Sequence, residues 1–235
     1  MEIRILRLLD GAKKAEGLTV IIDVFRAFSL ECYLYAQGAK EIIPVGDIEK
    51  AYRLKREDET CILAGERKGK KCGGFDFGNS PSAFAGFNLE GRKVIHTTSA
   101  GTQGVANAVN ADEIIAGSLV NAKAIAQYII EKNPAVVSLV CMGFGGVRPA
   151  EEDELCALYI KSLLEGNELE NIEERAKALQ FGGGSHFFDK DNQEVYPEPD
   201  FWMCVKCSIF PFVIRIDREG EGFRTRKIQV LSGKH

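Results

Sequence analysis

The sequence contains no uninterrupted apolar run of about 18 residues, so no segment reads as a transmembrane helix. Positive charge is not in excess. Lys and Arg number 30 against 34 Asp and Glu, which leaves a net charge of −4. A weakly acidic chain exerts no general pull on nucleic acid, and it binds small anions only through local basic groups or backbone amides. No internal repeat or low-complexity tract is visible. Collagen-like, coiled-coil and disordered compositions are excluded by 45% apolar and 27% charged residues. There is no G-x-x-x-x-G-K-[ST] phosphate loop. Histidine is scarce, and His96, His186 and His235 form no triad pattern. Met1 to Leu9 carries two arginines and a glutamate beside too short an apolar stretch for a signal peptide. The seven cysteines are odd in number and scattered, mostly inside apolar stretches. That usage suits reduced, buried thiols, and the expectation is a cytoplasmic protein with no membrane or nucleic-acid partner. The sequence leaves a homo-oligomer open.

What is present is an alternation. Apolar runs from Leu18 to Asp23, Glu41 to Val45, Cys61 to Ala64, Lys93 to His96, Glu113 to Ala116 and Val136 to Cys141 read as strands. Segments with helical periodicity run from Ala27 to Ala36, Ile48 to Lys55, Asn121 to Glu131 and Pro149 to about Leu164. Short apolar strands alternating with longer helices mean βαβ units, and continuously apolar strands mean a parallel sheet covered on both faces. The expectation is an α/β protein: one three-layer α/β/α domain over residues 1–235 with a mostly parallel central sheet. The part from about residue 166 is less regular. It holds a polar helix from Asn171 to Leu179, a Pro-containing loop from Tyr196 to Pro199, and strand-like runs at Phe212 to Ile216 and Arg224 to Leu231. This part is expected to complete the sheet or cap one edge of it.

Ligands of open parallel sheets bind outside the carboxyl ends of the strands. Asp23 and Arg26 follow the first apolar run, Glu66 and Arg67 the third, and Thr97-Thr98-Ser99-Ala100-Gly101-Thr102 the fourth. A glycine loop, Gly143 to Gly146, follows the sixth and feeds a helix that opens with Glu151-Glu152-Asp153-Glu154. Carboxylates in one crevice suggest Mg²⁺, a hard cation that takes oxygen ligands. Arginines, hydroxyls and loop amides suggest phosphate. Together they point to metal-assisted phosphoryl transfer. Each element has an alternative reading: Asp23 as a turn cap, Glu66-Arg67 as a surface ion pair, Thr97 to Thr102 as a helix cap, and Glu151 to Glu154 as charges complementing a helix dipole. Convergence of several strand ends favours the functional reading. The basic stretch Arg67 to Lys71 reads as an anion-recruiting rim or a solvated loop, and Asn79-Ser80-Pro81 as an anion-binding turn or a plain helix cap. Gly143-Phe144-Gly145-Gly146 fails the dinucleotide spacing because Arg148 stands where a third glycine is needed. An NAD(P)-linked enzyme is therefore a weak rival. Cys204 and Cys207 lack a second metal-ligand pair and read as incidental.

The motifs Val20-Ile21-Ile22-Asp23-Val24-Phe25-Arg26-Ala27, Ala64-Gly65-Glu66-Arg67, Gly74-Phe75-Asp76-Phe77-Gly78-Asn79-Ser80-Pro81, Thr97-Thr98-Ser99-Ala100-Gly101-Thr102 and Glu152-Asp153-Glu154-Leu155-Cys156-Ala157 together resemble the 2-phosphosulfolactate phosphatase family. The resemblance covers roughly residues 18 to 165. It implies a phosphoric monoester hydrolase with a three-layer α/β/α fold. It further implies Mg²⁺-dependent hydrolysis of 2-phosphosulfolactate to 3-sulfolactate and phosphate, which in methanogens is a step of coenzyme M synthesis. On that basis Asp23, Arg26 and Glu66 are the catalytic candidates. Asp23, Glu66, Glu152 and Asp153 are the metal candidates. Arg67, Asn79, Ser80, Thr97, Thr98, Ser99, Gly101 and Thr102 are the candidates for holding a small anionic substrate. Haloacid-dehalogenase phosphatases place a second aspartate two residues after the first. Phe25 stands there in this chain, so that mechanism does not transfer. The alternatives are a phosphatase of another small phosphorylated acid or sugar, and a non-catalytic anion-binding module.

Overall fold

The structure, a computed structural model, describes residues 1–220 and 222–230. His235 and the end of the last expected strand lie outside the described residues. In chain order the strands are β1 (Glu2–Arg7), β2 (Gly17–Ile22), β3 (Glu41–Pro44), β4 (Ile62–Arg67), β5 (Lys70–Lys71), β6 (Lys93–Thr97), β7 (Ala111–Gly117), β8 (Val136–Cys141), β9 (Phe212–Glu219) and β10 (Gly222–Gln229). The α-helices are α1 (Leu8–Lys13), α2 (Ala27–Ala36), α3 (Ile48–Glu57), α4 (Gly101–Asn107), α5 (Ala122–Lys132), α6 (Glu151–Leu164), α7 (Ile172–Ala178) and α8 (Glu198–Cys204).

The strands form two sheets. A six-stranded sheet runs β1-β8-β2-β7-β9-β10 and a four-stranded sheet runs β3-β6-β4-β5. β1, β8, β2 and β7 are parallel, and β9 and β10 close that sheet as an antiparallel hairpin. In the smaller sheet β3, β6 and β4 are parallel, and β5 turns back on β4. The expectation of a three-layer fold with a mostly parallel central sheet holds. The single strand-end edge expected from the sequence is corrected to two edges, one per sheet.

Alternation along β2 shows why both faces must be covered. Val20 and Ile22 pack with α5, α6 and α8, while Ile21 packs with α2, α4 and the inner face of the smaller sheet. A third cluster, with Val45, Ala51, Leu63 and Ile95, joins the outer face of the smaller sheet to α3. Gly104 allows α4 to lie close on the sheet, because a Cβ there would meet Ile21 and Met142. The polar segment after residue 166 does what was expected of it: the β9–β10 hairpin completes the larger sheet, while α7 and α8 and the turns between them join the core on the α6 side.

The sequence reading missed β1, β5, α1, α4 and α8. β1 is an edge strand paired only with β8, and its Arg4 pairs with Glu2 and Glu16 in solvent. Edge strands tolerate charge, which removes the apolar signature. Helix α6 opens at Glu151, two residues after the expected Pro149.

Candidate functional site

The carboxyl ends of the two sheets meet at the loop that leaves β6. The Ser99 amide donates to Glu66 Oε1 at 2.7 Å, and the Gly101 amide donates to Asp23 Oδ2 at 2.8 Å. One short loop therefore holds a carboxylate from each sheet. Gly101 suits its position for a steric reason: a Cβ there would sit 3.0 Å from Asp23 Oδ2 and 3.1 Å from the Phe28 ring.

Asp23 directly follows β2 and is buried. Its other oxygen, Oδ1, accepts from the Ala27 amide at 3.3 Å. The first turn of α6 adds two more buried carboxylates, Glu152 and Asp153. Asp153 is held by backbone: Oδ1 accepts from the Val24 amide at 2.9 Å and Oδ2 from the Gly143 amide at 2.8 Å. Glu152 Oε2 is buried and has no hydrogen-bond partner. Helical geometry sorts the four acidic residues as it must. Glu154 pairs with Arg7 through two contacts of 2.7 and 2.8 Å, and Glu151 accepts from the Gly183 amide, so both are partnered outside the buried pair.

Three carboxylates thus lie close together in low-dielectric surroundings. Burial is the main reason that Asp23 is pushed up to about 6, with the charge of Glu66 adding to it. Burial likewise pushes Glu152 up to about 7, with Asp23 and Glu151 as neighbouring charges. Asp153 is raised well above the usual carboxylate range, by burial first and then by Glu152 and Asp23, against the pull of its two amides. Among the described residues none of the three has an ion-pair partner. Arg26, the arginine that follows Asp23, pairs with Asp200 at 2.8 Å instead.

On the smaller sheet the polar groups are matched. Glu66 also accepts from the Gly69 amide at 2.6 Å and from Ser99 Oγ at 3.1 Å. Arg67 donates to the carbonyls of Glu66 and Gly46, both at 2.8 Å, and to Thr97 Oγ1 at 2.7 Å. Thr97 in turn donates to the Val45 carbonyl at 2.6 Å. Thr98 Oγ1 accepts from the Thr102 amide at 3.2 Å, and Thr102 Oγ1 donates to the Thr98 carbonyl at 2.8 Å, so these two residues fasten the start of α4. Asn79 Oδ1 lies 3.1 Å from His96 Nε2, whose Nδ1 lies 2.8 Å from Glu31 Oε1. Ser80 Oγ donates to Asp200 Oδ1 at 2.9 Å.

The sequence-derived set is therefore brought to one region, but its members differ in state. Asp23, Glu152 and Asp153 form the charged centre, with Glu66 and Gly101 beside Asp23. Arg67, Thr97, Thr98 and Thr102 are engaged in holding the backbone. The sequence reading missed Asp200, Glu31, Tyr196 and Phe187. Asp200 meets Arg26 across 174 residues of chain, and no local pattern announces such a pair. In the sequence its neighbourhood reads only as a Pro-containing loop.

Among the described residues no helix is long and apolar enough to cross a membrane. The family model described as 2-phosphosulpholactate phosphatase matches residues 5–185. The chain belongs to this family. Membership places it among the phosphoric monoester hydrolases. Its relatives include proteins named "Probable 2-phosphosulfolactate phosphatase" from three bacteria. The one from Bacillus subtilis is 33% identical over 210 residues, covering 87% of this chain and 89% of the relative. The one from Caldicellulosiruptor saccharolyticus is 41% identical over 152 residues, covering 63% of this chain and 62% of the relative. The one from Carboxydothermus hydrogenoformans is 41% identical over 138 residues, covering 58% and 57%. All the strand-end carboxylates discussed above fall within the matched span of the family model, whereas Tyr196 and Asp200 lie beyond it.

Proposed function

We propose that this member of the 2-phosphosulpholactate phosphatase family hydrolyses 2-phosphosulfolactate to 3-sulfolactate and phosphate with the help of Mg²⁺. The observation that carries the metal is the charge state of the site. Three buried carboxylates feel one another's charge without an ion-pair partner among the described residues, and one of their oxygens, Glu152 Oε2, has no donor. Buried charge of one sign calls for a counter-ion or for protonation. An all-oxygen donor set suits Mg²⁺, which keeps several waters and takes only one or two carboxylates from a protein. Among the described residues no three His, Cys, Asp or Glu side chains converge closely enough to enclose an ion unaided, so Asp23 and Glu152 would leave the rest of the ion's shell to water and substrate.

Asp23 and Glu152 are the residues proposed to hold the metal. Asp153 fixes the carboxyl end of β2 to the start of α6 through its two amide contacts. Glu66 does the same for the Gly69 turn and the Ser99 loop. When bound, the metal supplies charge neutralisation at the phosphoryl oxygens. Arg26 is proposed to bind substrate oxygens: among the described residues both of its hydrogen bonds leave from Nη1, so Nε and Nη2 stay available as donors. In the overall reaction water oxygen bonds to phosphorus, the ester oxygen leaves with a proton, and no redox partner is needed. A compact substrate with phosphate, sulfonate and carboxylate on three carbons matches a site that must balance charge on both sides.

The test is phosphate release from 2-phosphosulfolactate with Mg²⁺ and with EDTA. Release that needs Mg²⁺ and stops with EDTA is the expected result. Release from other small phosphorylated acids or sugars, but not from this one, would replace the substrate. No release from any of them would leave an anion-binding module.

A further inference from the structure

Asp200 has no part in the carboxylate cluster, yet it is fully buried at the start of α8. Among the described residues its three hydrogen bonds go to two segments. Oδ2 meets Arg26 Nη1 at 2.8 Å. Oδ1 accepts from Ser80 Oγ and from the Ser82 amide, both at 2.9 Å. The same Nη1 of Arg26 donates to the Val195 carbonyl at 2.9 Å. Aromatic rings complete the housing: the guanidinium carbon lies 5.0 Å from the Tyr196 ring centroid and 5.8 Å from that of Phe187. Arg26 is left 3% exposed, so its orientation is set by these neighbours and not by solvent.

An arginine recognises phosphate or sulfonate through a planar fork of donors, and the plane must be fixed for two parallel bonds to form. Every contact that fixes it here from the C-terminal segment, those of Phe187, Val195, Tyr196 and Asp200, lies past residue 185, where the family model's match ends. Resting on the phosphatase reading, we infer that Asp200 is a positioning residue. It locks the Arg26 guanidinium and the 80–82 turn into one unit, so that Nε and Nη2 of Arg26 meet the oxygens of the anionic substrate. A purely structural ion pair would make the same contacts but would not couple to substrate.

The experiment is a double-mutant cycle. Phosphate release from 2-phosphosulfolactate is followed for the wild type, Asp200→Asn, Arg26→Ala and the double variant. Asp200→Asn is expected to lower kcat/KM on the order of thirtyfold. In the Arg26→Ala background the same change is expected to cost less than about twofold, because the residue through which Asp200 acts is gone. Fully additive losses would overturn the assignment. Should the Asn variant not fold, Asp200→Glu carries the same comparison, since it keeps the charge and displaces it by one methylene. A second readout needs no turnover. The Arg26 guanidinium resonances are followed by NMR while inorganic phosphate is added. They are expected to shift in the wild type and to stay unperturbed in Asp200→Asn while the remaining spectrum stays folded. An equal shift in both proteins, or none in either, would contradict the inference. A wild type without turnover that still shows the Asp200-dependent shift would remove the phosphatase reading and leave the positioning role standing.

Discussion

The two sheets present opposite kinds of carboxyl edge. On the four-stranded sheet the charged groups meet partners: Glu66 takes three donors, Arg67 reaches two carbonyls and a hydroxyl, and His96 stands between Glu31 and Asn79, with only Glu31 Oε2 left without a donor among the groups named. On the six-stranded sheet Asp23, Glu152 and Asp153 repel one another, and the arginine of that edge is claimed by Asp200. A satisfied edge is a scaffold. An edge with uncompensated like charge is costly to keep, and it is where the proposed cation and substrate would enter. The β6–α4 loop joins the two, so the scaffold edge sets the position of Asp23 on the reactive one.

The difference can be broken from either side. The largest effect is expected from Asp23→Asn, which removes a charge from the reactive edge while leaving an isosteric group. Turnover of 2-phosphosulfolactate should fall by roughly a thousandfold or more, with little change in melting temperature, because relief of the buried charge opposes the cost of setting an amide donor against the Ala27 or Gly101 N–H. Near-normal turnover would move the centre elsewhere. Glu66→Gln should act first on stability. Its amide group would set a donor against the Gly69 or Ser99 N–H, at a cost of about 1–3 kcal/mol in chemical denaturation. Glu154→Gln is the smallest. Its partner Arg7 is half exposed, and an ion pair of that kind is worth about 0–1 kcal/mol, so neither turnover nor stability should move much.

The same contrast explains what the sequence made legible. Continuous apolar runs such as Val20-Ile21-Ile22 announce buried parallel strands, and the acidic or hydroxyl residue after each announces the edge. The acidic turn Glu151 to Glu154 showed that one or two of its members face inward, and Glu152 and Asp153 are the two. That the edges belong to different sheets was not legible, because strand order depends on which apolar faces find each other across long crossovers. Nor was the satisfied state of Thr97, Thr98 and Arg67, since their partners include Val45 and Gly46, carbonyls that any residue supplies. Asp200 was hidden for the opposite reason: its meaning lies wholly in Arg26, at the far end of the chain. The Gly143 loop, which fails the dinucleotide spacing, uses its first amide to hold Asp153.

The central claim is that the reactive edge carries negative charge without a counter-ion. It is tested most directly by unfolding free energies of the wild type and Glu152→Gln as a function of pH in EDTA. An acid whose folded-state pKa lies above its unfolded value costs nothing below the unfolded pKa, and its full cost is reached above the folded one. For Glu152, raised from an ordinary 4.5 to about 7, the wild type should therefore match the variant near the lower value. As the pH rises through the higher value the wild type should become the less stable of the two, by on the order of 2 kcal/mol. Added Mg²⁺ should then narrow the gap. A difference that stays flat across this range, with no response to Mg²⁺, would contradict the account.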